Sequence, residues 1–331
     1  GGAWRIDPSY YINTCTVSNP ITIQIALSSQ WSGSAGNFSI NAAGIGGTST
    51  NFSNSTACVP DGRCGIIDIE QVNGVIFTGR SATQRIVISN VNTLNGNASS
   101  ALLIRGVGAS SALNMKDIQV GWLEISNNTT LATYAALEPT NLKQAWFHDI
   151  KIHDWLGDGI NTGLHTAWHK VHGVVFENME IGPNVGNNTA LCQPITTAAL
   201  YAHGSEYSDA DAGGGVWLIN SKIHDNYTTG FNGHGSLSGG EDGIVKVRDT
   251  QFYGNGRVNE CNQGMQYAGD AINAYQGTGF ALPEQTVVSI RNVFYDNKVG
   301  IESPHGGGSM WQWHTTLFRG AQPGWGVIGT K

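Results

Sequence analysis

Two near-copies, Tyr201-Ala202-His203-Gly204-Ser205 and Asn232-Gly233-His234-Gly235-Ser236, each place a histidine in the same short frame. Imidazole is the side chain best matched to moving a proton near neutral pH. Asp270 and Glu302 add carboxylates nearby in the pattern, and Tyr201, Asn232, Asn273 and Tyr275 add hydrogen-bonding groups. Two chemistries suit this set. A lyase needs a base for the C5 proton of a uronate and a cation to hold the acid; a glycoside hydrolase needs two carboxylates at a mechanism-dependent separation. His203, His234, Glu302 and Asp270 are therefore the candidate catalytic residues. Tyr201, Asn232, Asn273 and Tyr275 are the candidate substrate-binding ones. The bland reading stands beside this: neighbouring repeats duplicate residues for packing reasons alone, and the histidines are then merely solvent-facing.

What places these residues is a recurring phrase: an alternating apolar run, a turn ending in Asn, and a Gly-apolar restart. It reads WLINSKIHDNYTTGFNGHGS at 217–236, KVRDTQFYGNG at 246–256 and VSIRNVFYDNKVGIESPHGG at 288–307, with looser copies at 145–163 and 173–184. Repetition over tens of residues marks a solenoid, and period-two alternation marks strands with one buried face. Aligning the copies sets Ile152, Ile181, Ile223, Phe252 and Phe294 in one inward column. The restarts give a second column, Leu137, Ile160, Leu200, Phe231, Ile272 and Ile301. Outward from the restart strands fall two rows. One holds Glu138, Asn161, Tyr201, Asn232, Asn273 and Glu302; the other holds Gly163, His203, His234, Tyr275 and Pro304, with Asp270 near and Asp158 at its start.

This pattern resembles the right-handed parallel β-helix, or pectate-lyase-like, superfamily over about residues 65–307. The resemblance implies an all-β, three-sheet solenoid in which each turn adds one strand to every sheet. It also implies an Asn ladder, matched by Asn184, Asn226, Asn255 and Asn297 and interrupted at Trp155, and a polysaccharide laid across one strand face between loop walls. Gly233-His234-Gly235 resembles the Gly-His-Gly of polygalacturonases. That family also carries an Asp pair, absent here, and an Arg-x-Lys, whereas Lys246-Val247-Arg248 is reversed and on another strand. The expected organisation is a segment 1–60 capping the solenoid, the β-helix over 61–310, and a Trp/Gly-rich tail or cap at 311–331. Trp217 is expected to pack in or between coils, and Trp311, Trp313 and Trp325 to cap the last one. No segment has helical periodicity, and exposed solenoid ends invite self-assembly.

Composition narrows the classes. Charged residues are 12%, about half the ordinary share, and Gly numbers 45 in 331 residues, which favours short strands and tight turns over helices. A net charge of −7 argues against nucleic acid and anionic membranes, and no apolar run is long enough to span a bilayer. The chain begins Gly-Gly-Ala-Trp without Met and reads as a processed or trimmed product.

Five cysteines occur without zinc spacing. Cys192 and Cys261 lie in two insertions, roughly 185–197 and 256–269, at the same point of coils two steps apart, and are expected to form a disulfide. Cys58 and Cys64 flank a Val-Pro-Asp-Gly-Arg turn and are expected to close a small loop, leaving Cys15 over. Sequons lie at Asn37, Asn51, Asn54, Asn97, Asn127, Asn128, Asn187 and Asn226. Cysteines and sequons together favour secretion or the cell surface. His165, His169, His172 and Glu177 cluster in sequence, but as a strand rather than a helix they lack metal geometry, and no metal site is assigned. Calcium is the one candidate cation, at the acidic loop of Glu206, Asp209 and Asp211, and no other cofactor is assigned. The expected function is an extracellular lyase or glycoside hydrolase acting on polysaccharide. The alternative is a non-enzymatic structural or adhesive surface protein, a filament subunit or fibre, built from the same solenoid.

Overall fold

Alternation in the sequence is realised as strands that all pair in parallel. The computed structural model describes residues 4–6, 21–24, 37–41, 64–70, 72–90, 99–106, 115–128, 135–162, 171–186, 198–203, 215–227, 229–234, 244–256, 270–275, 286–297, 299–302 and 309–318. These form three nine-stranded sheets, and the chain visits first, second and third sheet in strict rotation, one strand each per coil. The architecture is a three-sheet parallel β-helix. Strands Trp4–Ile6, Ile21–Gln24 and Phe38–Asn41 make the first coil. Ser309–Trp313 and Thr316–Phe318 complete the ninth. The solenoid thus runs beyond 61–310 in both directions, and Trp311 and Trp313 sit on a strand of the second sheet rather than in a tail.

Both inward columns hold in register. Leu137, Ile160, Leu200, Phe231, Ile272 and Ile301 pair successively along the first sheet, and the column continues upstream through Leu102, Ile67 and Trp4. Ile152, Ile181, Ile223, Phe252 and Phe294 do the same in the third sheet. Stacking like on like fills the narrow interior: Phe252 and Phe294 lie 4.9 Å apart at 8°, and Phe147 and Phe176 lie 5.1 Å apart. Each such buried side chain contributes about 1.5–3 kcal/mol.

The second sheet turns into the third through two residues in coil after coil. The first takes a left-handed conformation: Asp149 (φ 54), Asn178 (53), Asn220 (47), Asp249 (53) and Arg291 (52). Asn and Asp tolerate that region best, which explains their frequency here. The second residue points inward, and from Ser221 onward it is polar. Ser221 Oγ accepts from Met179 N at 3.0 Å, and Asn292 Oδ1 accepts from Thr250 N at 2.9 Å, so each coil is pinned to the next.

The expected Asn ladder needs a correction. Asn226 Nδ2 donates to Asn255 Oδ1 at 2.9 Å, and Asn255 Nδ2 donates to Asn297 Oδ1 at 2.8 Å, all three fully buried. Asn184 is not in that column. The stretch from Ile181 to Val185 is one residue longer than that from Ile223 to Asn226, so Asn184 (φ 63) falls opposite Asp225 (φ 52), and its N donates to Asp225 O. Val185 takes the ladder position, its N donating to Asn226 Oδ1 at 3.1 Å, and Trp155 pairs with Val185. The ladder therefore ends one coil before Trp155. Gly182 makes the extra residue fit: at φ 131, a Cβ there would collide with the His224 carbonyl oxygen. No helix is found among the described residues, so none is long and apolar enough to cross a membrane.

Candidate functional site

The first sheet carries the sequence candidates, and its pairing fixes their neighbours. His203 lies directly opposite His234, and His234 opposite Tyr275. Asn161, Tyr201, Asn232, Asn273 and Glu302 pair in turn, while Asp270 lies opposite Val299. Adjacent positions in such a row are about 4.8 Å apart. The side chains of His203, Asn232, His234, Asp270, Asn273, Tyr275 and Glu302 lie outside the described residues; their strand positions do not.

Register also brings in residues that the sequence reading passed over. Leu137 pairs with Ile160 and Ile160 with Leu200, so Thr140 shares the row of His203 with one coil between them. Thr140 pairs with Arg105, and Arg105 with Glu70. The histidine row thus runs Glu70, Arg105, Thr140, then His203, His234 and Tyr275. It contains a guanidinium that was overlooked because the copies weaken upstream of residue 137. Arg105 is 4% exposed, and Thr140 Oγ1 is buried with no hydrogen-bond partner among the described residues.

The neighbouring row departs from expectation. It is expected to lie outward from the strands, yet it is not open: Glu138, Asn161 and Tyr201, with Leu103 upstream in the same row, are 0–3% exposed. Leu103 and Tyr201 are also absent from the interior cluster, so they are covered on the outer face. Ser100 Oγ donates to Glu138 Oε2 at 2.7 Å. Asp158 is spent on structure: its Oδ2 accepts from Asn161 Nδ2 at 2.6 Å and its Oδ1 from Ala198 N at 2.8 Å, tying two coils together.

From strand Leu142–His148 onward chain length singles out this sheet, whereas upstream the second-to-third links at 25–37 and 79–85 are long as well. Second-to-third links are two residues long from Asp149–Ile150 through His314–Thr315. The long connections leave the first sheet, as at 204–215, 235–243 and 276–285, or approach it, as at 182–197 and 254–269. Both flanks of the first sheet are therefore where sequence length is free to vary, the usual location of binding residues on a rigid scaffold.

Other candidates sort as follows. Cys64 is on strand Cys64–Glu70 opposite Ser99; Cys15, Cys58, Cys192 and Cys261 lie outside the described residues, as do His165, His169, Glu206, Asp209 and Asp211. His172 is buried on strand Val171–Glu177. Among the described residues, no three His, Cys, Asp or Glu side chains could hold a metal. Among the sequons, Asn127 is exposed, and Asn37 is exposed while its Oδ1 accepts from Arg85 N at 2.8 Å. Asn128 lies opposite Trp155. Asn51, Asn54, Asn97 and Asn187 lie outside the described residues. Asn226 is a correction: it is 0% exposed and its Nδ2 donates to both Asn255 Oδ1 and Ile181 O, so this sequon is a ladder residue and not an accessible acceptor.

Three other histidines recur in one structural device. His148, His153 and His224 each bond through Nδ1 to the carboxylate of the following Asp, at 2.8, 2.8 and 3.0 Å. The Asp is left-handed in each case, which folds its carboxylate back over the strand end. Burial opposes the Asp154 charge, but the bonds from Asn184 and His153 outweigh it and hold the carboxyl below its ordinary value. His224, Tyr253 and Tyr295 stack at 4.8 Å, and burial followed by mutual proximity raises the Tyr253 phenol above its ordinary value. No family model, curated protein or solved structure matches the chain.

Proposed function

We propose that this protein is a secreted or surface-displayed member of the pectate-lyase-like superfamily that acts on polysaccharide across the outer face of its first sheet. The observation that carries this reading is the row Arg105, Thr140, His203, His234, Tyr275 in one register, on the sheet whose flanks take the long connections. In this reading one imidazole acts as the base that takes the proton and its neighbour in the row as the acid that gives one to the leaving oxygen. Asp270 and Glu302 supply carboxylates for the hydrolytic variant of the same site. Asn232, Asn273 and Tyr275 are its sugar-binding residues, while Tyr201, 3% exposed, supports their row from beneath the cover.

The test is a polysaccharide panel followed by release of reducing ends and by ultraviolet absorbance of an unsaturated product. His234→Ala should lower kcat by about 10²–10⁴-fold with an unchanged melting profile. Absence of turnover on every polymer would overturn the reading. It would favour the non-enzymatic surface protein, whose own support is the burial of Glu138, Asn161 and Tyr201 on a face that an enzyme needs open. Ordered end-to-end assemblies in electron micrographs would then be expected.

A further inference from the structure

The outer face of the second sheet holds a second constellation. Strands Met115–Gly121, Leu142–His148 and Val171–Glu177 share a left-handed kink at Asp117 (φ 61), Gln144 (φ 58) and Gly173 (φ 62). The kink shifts the alternation, so Leu142, Ala145 and Phe147 face the core while Lys143 and Trp146 both lie on the outer face. Lys143 pairs with Lys116, and Trp146 with Gln119. Two ammonium groups directly opposed in register repel each other unless an anion lies between them. Neither lysine forms an ion pair among the described residues, and the carboxylate beside them in sequence, Asp117, sits at the kink itself.

Trp146 is 42% exposed and yet fixed. Its ring stacks on His148 at 4.1 Å and 28°, and its Nε1 donates to Glu177 Oε2 at 3.1 Å. His148 is fixed in turn: Gln119 Nε2 donates to its Nε2 at 3.0 Å, so its Nδ1 carries the proton given to Asp149 Oδ2. The imidazole occupies the space over Gly121, where any Cβ would collide with it. An exposed indole held this way loses little freedom on binding. Two coils along the same row, Trp217 carries the Lys246 ammonium 4.1 Å from its ring, repeating the pairing of indole and cation about 10 Å away.

We propose that this face binds an acidic saccharide chain running along the solenoid, with an anionic group between Lys116 and Lys143 and a pyranose ring stacked on Trp146. Indole faces take the C–H face of a sugar, and paired ammonium groups select its charge. The site is separate from the first-sheet row, and neither requires the other.

Calorimetric titration with a short oligogalacturonate, a sulfated heparin oligosaccharide and a neutral cello-oligosaccharide tests this. An acidic chain should bind, more weakly as salt rises, and the neutral one should not; the two acidic probes distinguish carboxylate from sulfate. The K116Q/K143Q double variant should weaken the salt-dependent component of binding by about tenfold or more, Trp146→Ala should remove that component and Trp146→Phe should restore most of it. Absence of acidic binding, equal binding of the neutral chain, or a double variant within about twofold of wild type would overturn the proposal.

Discussion

Replacing Asn255 with Ala removes the middle rung of the buried ladder. Its side chain makes three bonds: Nδ2 to Asn297 Oδ1 (2.8 Å) and to Ile223 O (3.0 Å), and Oδ1 from Asn226 Nδ2 (2.9 Å). Asn226 retains its bond to Ile181 O, and Asn297 Oδ1 retains the Asn255 backbone N, so each partner is only partly stripped. At about 1–1.5 kcal/mol per bond, with added cost where a buried group loses its partner, the loss is about 3–5 kcal/mol. Asn184→Ala breaks a partly exposed bond to Asp154 Oδ1 at 2.7 Å and should cost less than Asn255→Ala, about 1 kcal/mol for that bond. Coils in a solenoid stabilise mainly their neighbours, so the effect must be read locally. Hydrogen exchange with mass spectrometry, alongside urea melts, should show deprotection centred on strands Lys222–His224, Gln251–Tyr253 and Val293–Tyr295. Equal costs for the two variants, or an Asn255→Ala loss under about 1 kcal/mol, would refute both the shifted register and the ladder energetics.

Three further outcomes follow from the geometry. Gly182→Ala forces a Cβ against the His224 carbonyl at φ 131 and should cost about 2–4 kcal/mol in urea melts; a neutral effect would remove the account of the extra residue. Glycopeptide mapping of folded protein from a glycosylating host should find Asn226 bare, and a glycan there would contradict its burial. Asp249 is held below the ordinary carboxylate value, first by the bonds from Arg291 Nε and Nη2, both 2.6 Å, and then by the nearby positive charge. A depressed carboxyl stabilises the fold above its unfolded pKa, about 3.9, and that contribution is lost as pH falls through the folded value. Arg291→Gln should therefore raise the Asp249 titration midpoint seen by NMR, and an unmoved midpoint would show the pair to be inert.

The sequence by itself determined the repeat and hence the fold, because each coil must put an apolar residue at the same two inward positions. Leu137 to Ile301 and Ile152 to Phe294 are in the register that alignment gave. It also determined that His203 and His234 are neighbours, since near-identical frames on successive coils stack. Only the tertiary structure decided what lies beside them. Arg105 and Thr140 join the histidine row through pairing across coils whose copies are too degenerate to align by eye. The Asn184 shift was invisible because one inserted residue preserves the local motif while moving it out of column. Burial of Glu138, Asn161 and Tyr201 could not be read from alternation, which separates the two faces of a strand but does not say whether the outer one is covered. The Lys116, Lys143 and Trp146 face was hidden for a related reason: a left-handed kink breaks the period of two, so residues three apart share a side that the pattern assigns to opposite ones.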